Sequence, residues 1–508
     1  MKLNRFKTIV VVFLGIAIGV GGNHLLTGCA DSQGTIQDIA TSFSHLQADL
    51  DAEQVAKMDR FATEYQSTAG RSQKSKGELE TFEEVYAQVL HGYVLDVNDD
   101  KLIDEALMGL REASLEGGKD AHDLMEASLD TMVRSLDPHS DYLNPTEAKE
   151  MTARTRGEFG GLGVEVTGDP LGVKVVAPIE DTPAFRAGLK TGDIITHTDG
   201  ESMKGWSLHQ AVSKLRGRPG RPVDLRIARE EKTLNIRVVR DIITVRAVRW
   251  RTEGDIGYIR IVSFNELVED GLQKAFRDIR KSLGGNLKGY VLDLRGNPGG
   301  LLDQAVAVAD AFLNRGDIVT IRSRSRFPGE RVYSAHRGDE ANGLPLVVLI
   351  NGSSASGSEI VAGTLQDLHR AVVLGTQSFG KGSVQTLLPL RNDGFLRLTT
   401  ALYYTAADRV IQGVGVVPDI VIPLGTEPAK DEEGSREALL PNALKAKAKK
   451  DPVVAQATIN KDRCVPVGEG EEEDHQLGCA LALLQAGSAG KFLATLSDAS
   501  TDMPATVQ

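Results

Sequence analysis

The sequence predicts a multidomain α/β protein with a helical N-terminal region, a strand-rich module in the middle and a core built on a largely parallel sheet. Three observations carry this. Apolar positions recur at helical spacing from Glu78 to about Thr155. From Glu158 the pattern turns to short strands broken by glycines, as in Phe159-Gly160-Gly161-Leu162-Gly163-Val164. Between residues 286 and 375, apolar strands alternate with helical stretches, the pattern of crossover connections in a parallel sheet. A chain of 508 residues has room for several such cores. Its net charge of −12 and 5% aromatic content oppose a general role in nucleic-acid binding, which needs cationic surface and stacking platforms.

The chain opens with Lys2, Arg5 and Lys7, followed by the 12-residue apolar run Ile9–Val20. That length fits the h-region of an export signal, whereas a membrane span takes roughly 20 residues. Leu26-Thr27-Gly28-Cys29 resembles a bacterial lipobox. The resemblance implies lipidation of Cys29 and a membrane-anchored protein on the periplasmic side of a bacterial envelope. The polar bridge Gly21-Gly22-Asn23-His24 parts the run from the box, and the alternative is an uncleaved N-terminal anchor. Residues 1–29 are therefore read as signal peptide or membrane anchor. With Cys29 lipidated, Cys464 and Cys479 form the remaining pair, and an oxidising compartment favours a disulfide between them.

Residues 30–155 read as the helical N-terminal region. Ile36, Ile39, Phe43, Leu46, Leu50, Val55, Met58 and Phe61 follow spacings of three and four, which predicts one or two amphipathic helices. Such a stripe serves packing or an arm joining two copies of the chain. Arg71–Gly77 reads as a linker. A second stripe runs through Phe82, Val85, Tyr86, Val89 and Leu90. Asp137-Pro138 initiates a turn, and structural use of Asp137 and His139 is preferred to a catalytic one.

Residues 156–235 place a glycine turn before a strand, and later a helical pattern at Leu208, Ala211, Val212 and Leu215. This resembles a PDZ domain. The resemblance implies that backbone N–H groups from Gly160, Gly161, Leu162 and Gly163 hold a peptide carboxylate. Leu162 and Val164 from the strand side, with Leu208 and Val212 from the helix, would line the groove.

Residues 236–425 form the predicted core. Tyr290–Leu294 reads as a buried strand, and Arg295-Gly296-Asn297-Pro298-Gly299-Gly300 as the turn that follows. Paired glycines let a backbone N–H come close to a substrate oxygen. Leu346–Ile350 reads as another buried strand, ending in Asn351-Gly352. Ser354, Ser356 and Ser358 follow, then a helix. A hydroxyl at a helix start lies beside free N–H groups that favour developing negative charge. The G-x-S-x-G elbow is absent, so the usual local support for a Ser-His-Asp site is missing. Lys381 instead stands between Gly380 and Gly382. Burial there would lower its pKa from roughly 10.4, making it a base. Gln385 lies four residues on.

These motifs resemble those of the carboxyl-terminal processing peptidases, serine proteases that use a Ser/Lys dyad. The resemblance assigns Ser356 as nucleophile, Lys381, 25 residues later, as base, Gln385 as its partner and Asp367 as a supporting residue. It places the oxyanion between Gly299 or Gly300 and Gly357, where the family usually carries alanine. The implied fold is a crotonase/ClpP-like protease core with an inserted PDZ domain. Gly413–Asp419 matches the family's closing strand. The resemblance covers roughly residues 78–425 and leaves 426–508 outside, as a short helical appendage.

The implied function is an envelope serine endopeptidase that recognises protein C-termini and cleaves near them. Its candidate partners are protein C-termini, a lipoprotein adaptor, the membrane and a second copy of the chain. A catalytically retired PDZ scaffold and a crotonase-like acyl enzyme are the competing readings. No cofactor is expected, and no metal: the ten histidines are dispersed and H-E-x-x-H does not occur. Gly375, Gly380 and Lys381 fit the spacing of a phosphate loop, but Gly382 stands where a hydroxyl should hold Mg²⁺.

Overall fold

The computed structural model describes residues 50–498, apart from 180, 231, 245, 325–328, 424–435, 446–453 and 469–472. The readings of Cys29, the export signal and residues 30–49 fall outside the described residues. Helix Ala52–Ala69 is capped by Asp51, which accepts from Glu53 N and Gln54 N while Gln54 reaches back. Ser72 caps the next helix, Gln73–Gly92. The segment read as a linker thus shrinks to Gly70–Ser72, because a capping serine starts the helix earlier than its apolar stripe does. Helices Asp99–Leu115 and Ala121–Arg134 complete the bundle. The bundle core merges with Leu388, Leu390, Leu396 and Leu398, so the helical region packs onto strands from the second half of the chain.

Seven strands form the central sheet, in the order Val248–Glu253, Ile256–Ile261, Gly289–Asp293, Leu346–Ile350, Val372–Gly375, Ile420–Val421 and Ala457–Thr458. Only the first pair is antiparallel. Gly289–Asp293 and Leu346–Ile350 are buried at every residue, as expected of parallel strands covered on both faces. Helices Val268–Leu283, Leu302–Asp310 and Gly357–Asp367 cover one face. Helices His475–Ala486 and Ala489–Asp498 pack on the other.

The C-terminal stretch differs from the expected appendage. It supplies the seventh strand and half the cover of the sheet, and a disulfide joins Cys464 to Cys479 with Cα atoms 5.1 Å apart. Its helix His475–Ala486 carries the apolar run from Leu477 to Leu484, whose use appears only once the sheet is assembled. The expected closing strand also shortens to Ile420–Val421, because Gly413 (φ 75°) and Gly415 (φ 77°) turn the backbone before it.

A second, antiparallel sheet carries Ser383–Pro389 and Asp317–Ser323 on the long strand Phe395–Thr405. The middle module is a six-stranded sheet whose path begins at the edge strand Val164–Asp169, with helix Leu208–Leu215 on the same core. Strands Glu158–Gly161 and Asp241–Thr244 pair at the junction where this module leaves and re-enters the main body.

Candidate active site

The serine-bearing helix starts directly after the Leu346–Ile350 strand. Asn351 N–H donates to Ser354 Oγ, 2.9 Å, closing the turn. Ser354 and Ser358 are buried, and their hydroxyls donate to the carbonyls of Leu294 (2.8 Å) and Asn297 (2.9 Å). They lash the turn to the neighbouring glycine loop. The Ser356 hydroxyl makes no such tie, and Ser356 lines a cavity of about 790 Å³. Its backbone sits at φ 53°, ψ −112°, a conformation that costs a non-glycine residue about 1–3 kcal/mol. The strain orients Ser356 at the N-terminus of helix Gly357–Asp367, where the first N–H groups lack helical partners.

The glycine loop meets this helix start closely. A Cβ on Gly299 (φ 97°) would lie 2.7 Å from Ser356 Cβ, and one on Gly300 (φ 146°) 2.1 Å from the Phe264 carbonyl oxygen, so neither position admits a side chain. Gly299 N–H donates to Asn297 Oδ1, 2.9 Å. Among the bonds of the described residues, the N–H groups of Gly300 and Gly357 have no acceptor. This pair is the one free to meet an oxyanion. Gly357 in place of the family's alanine suits its neighbours: a Cβ there would lie 3.0 Å from Phe264 and 3.2 Å from Ala305.

Lys381 lines the same cavity. Its glycine brackets allow the loop to lie against backbone, since a Cβ on Gly382 would fall 2.4 Å from Gln412 N. Burial, aided by the Arg397 guanidinium, lowers the Lys381 pKa to about 8. Gln385 lines the cavity too; its amide nitrogen donates to Ser383 Oγ (2.9 Å) and Thr399 Oγ1 (3.3 Å), leaving Oε1 as its free end. Asp367 stands at the opposite end of the serine helix. It holds Thr405 Oγ1, Ala407 N and the Arg409 guanidinium, so it braces the far strand and does not reach the cavity.

Two site residues escaped the sequence reading. Glu359 is fully buried, and its carboxylate accepts from Ser356 N (2.8 Å), Lys381 N (2.9 Å), Gly380 N (2.7 Å) and Ser378 Oγ (2.5 Å). Burial pushes its pKa up to about 7 against those four donors. The Tyr403 hydroxyl lies within hydrogen-bonding reach of the carbonyls of Ser356 (3.0 Å) and Lys381. One carboxylate and one phenol thus cross-tie the peptide units of both residues. Ser356-Gly357-Ser358-Glu359 has capping-box spacing, and that signal could have found Glu359. Nothing local points to Tyr403.

The cavity is also lined by Phe159, from the junction strand, and Arg216, at the end of the middle module's helix; the guanidinium of Arg216 stacks on the Phe159 ring at 4.7 Å. Within that module, Val164 and Val212 are half-buried and Leu208 is exposed, on an edge strand and its facing helix. Leu162 departs from the expected groove lining: its side chain is 2% exposed and sits in the module's core. Gly160 and Gly161 are paired with Ile242 and Asp241, so Leu162-Gly163 is the part of the glycine turn outside that strand pairing, with its carbonyls accepting from the N–H groups of Ala184 and Ile179. Asp137 forms the expected turn, accepting from His139 N and Ser140 N. The His139 ring, in contrast, lines the cavity and meets buried Glu437.

A serine hydroxyl strained toward a cavity, a lysine held near neutrality and two free N–H groups are the equipment of acyl transfer by a serine peptidase. The comparisons agree. Residues 255–422 match peptidase family S41 and residues 160–239 match a PDZ domain. A carboxy-terminal-processing protease of Bartonella bacilliformis is 49% identical over 358 residues, 70% of this chain and 77% of that protein. A probable CtpA-like serine protease of Staphylococcus saprophyticus is 31% identical over 353 residues, 69% of this chain and 67% of that protein. The solved photosystem II D1 C-terminal processing protease is 29% identical, with a TM-score of 0.44 over 72% of this chain and 98% of its own. The chain belongs to peptidase family S41, with a PDZ domain, and is a serine peptidase.

Proposed function

We propose that the protein is an envelope endopeptidase that takes the C-terminus of an exported protein in its PDZ groove and cuts near that end with a Ser356/Lys381 dyad. The observation that carries this reading is the shared cavity: Arg216 of the PDZ module and Phe159 beside it line it together with Ser356 and Lys381. The edge strand Val164–Asp169 can pair with an extended peptide and lead it there.

In the proposed reaction Ser356 Oγ attacks the scissile carbonyl while Lys381 Nζ takes its proton. The N–H groups of Gly300 and Gly357 receive the oxyanion. Collapse expels the amine, which collects the proton from Lys381, and water releases the acyl group by the same path reversed. Gln385 offers Oε1 to orient the amine. No residue in this scheme needs a metal or cofactor, and among the described residues no His/Cys/Asp/Glu group is arranged to hold a metal.

The export signal at Lys2–Val20, the lipobox-like Cys29 and the Cys464–Cys479 disulfide support an oxidising, membrane-anchored location in a bacterial envelope. The reading admits a lipoprotein adaptor and a homo-oligomer as further partners. The test is incubation of the protein with solubilised envelope proteins, followed by mapping of new C-termini. Internal cuts close to the original ends, absent with Ser356→Ala, are the expected result. Cuts spread along the chains, or none, would reject C-terminal selection.

A further inference from the structure

We propose that the C-terminal segment completes the peptidase pocket, with Glu437, held by His139, acting as a positioning residue for Lys381. This rests on the reading of Lys381 as general base. Glu437 begins the short turn Glu437–Leu439, beyond the stretch that matches the peptidase family, and is fully buried.

Glu437 grips the lysine loop from both sides. Its N–H donates to the Phe379 carbonyl, 3.2 Å, two residues before Lys381. Its Oε1 accepts from Gln412 Nε2, 2.7 Å, while Gln412 Oε1 accepts from Gly382 N, 2.9 Å, one residue after Lys381. Its Oε2 meets His139 Nε2, 2.7 Å, and His139 lines the cavity with Ser356 and Lys381. The two partners are 298 residues apart in the chain. A buried carboxylate is expensive to desolvate, and a packed apolar side chain would serve stability at least as well. Its retention beside the lysine calls for a use there.

The charges around Lys381 supply that use. The Arg397 guanidinium, from strand Phe395–Thr405, opposes its protonated form, as burial does. Glu437, Asp137 and Glu359 favour that form. Glu437 is the strongest of the three; it has two side-chain partners, Gln412 and His139, whereas Asp137 is held by Ser140, Thr399 and the His139 N–H and Glu359 by four donors. Tyr403 contributes a neutral hydroxyl to the Lys381 carbonyl. Arg397 is partly answered by Asp141. Glu437 therefore offsets Arg397 and keeps the amine basic enough to take a serine proton near working pH.

The test is kcat/KM and kcat against pH for the full chain, with a peptide substrate. The wild-type acid limb should have its midpoint near pH 8. Glu437→Gln should move that midpoint down by about one pH unit. Its kcat should fall about tenfold, as expected of a weaker base, with KM little changed. Glu437→Asp, which keeps the charge, should restore the midpoint. An unmoved midpoint in folded Glu437→Gln overturns the proposal, whatever kcat does. If that variant does not fold, His139→Asn decides: a displaced midpoint supports the assignment and an unmoved one overturns it. Lys381→Ala with wild-type activity would remove the dyad itself, a failure distinct from an unmoved midpoint with an inactive Lys381→Ala.

Discussion

Glu359→Gln should separate stability from activity. The carboxylate takes the N–H groups of Ser356 and Lys381 on one oxygen, and Gly380 N–H with Ser378 Oγ on the other. Glutamine keeps one acceptor, so its amide NH₂ must face two of these donors. At hydrogen bonds of about 1.5–3 kcal/mol to a charged group, two lost bonds amount to about 3–6 kcal/mol. Against this stands the cost of burying the charge. The folded pKa of about 7 lies above the ordinary 4.5. The folded state therefore holds the proton more tightly than the unfolded chain. Stability falls as pH rises from 4.5 to about 7, by about 3 kcal/mol in total. Glutamine has no such fall. Measured by denaturant unfolding, the variant's deficit should therefore be about 3 kcal/mol smaller at pH 8 than at pH 4. Its kcat should nonetheless drop at least about 10²-fold, because the serine and lysine lose their common anchor. Wild-type kcat, or a deficit that grows with pH, would refute the reasoning.

Three further outcomes follow from the site. Activity should rise through a midpoint near pH 8 as Lys381 loses its proton, and Lys381→Ala should lose at least about 10²-fold in kcat/KM; a profile unchanged between pH 6 and 10 would exclude this base. Amidating the C-terminus of a groove peptide should weaken its binding by about 1.5–3 kcal/mol by calorimetry, whereas equal affinity for acid and amide would remove the carboxylate from recognition. Replacing Cys464 and Cys479 by serine opens a link 15 residues apart and should lower unfolding stability by about 3 kcal/mol, checked by denaturant melts of both forms.

What the sequence made legible was local. The Leu346–Ile350 strand stands within the apolar run that announced it, and Ser356 and Lys381 meet at one cavity as their motifs implied. The glycine turn was readable as a close-approach site, although only hydrogen bonding distinguishes Gly300 from Gly299. What stayed hidden depends on contacts between distant residues. Glu359 looks like an ordinary charged helix position until four donors surround it. His139 reads as part of an Asp-Pro turn until Glu437 arrives from the other end of the chain. Leu162 alternates like a groove residue, but the module's core takes it. In the C-terminal stretch the apolar run from Leu477 to Leu484 was legible, but its partner was not: the strand it comes with has two residues, and the helices find their place only on the finished sheet.

Arg295, at the entrance to the glycine turn, is held by Asp293 just before it and by Asp474 and Gln476 near the far end of the chain. A polypeptide leaving the ribosome presents its residues in order, and segments fold as they emerge. The serine, the lysine, the glycine turn and Asp293 are therefore all made before Asp474, the second carboxylate on Arg295, and before the last strand can dock. A chain that stops before Asp474 carries every reacting group and lacks the carboxylate that ties the entrance of the turn to the start of helix His475–Ala486.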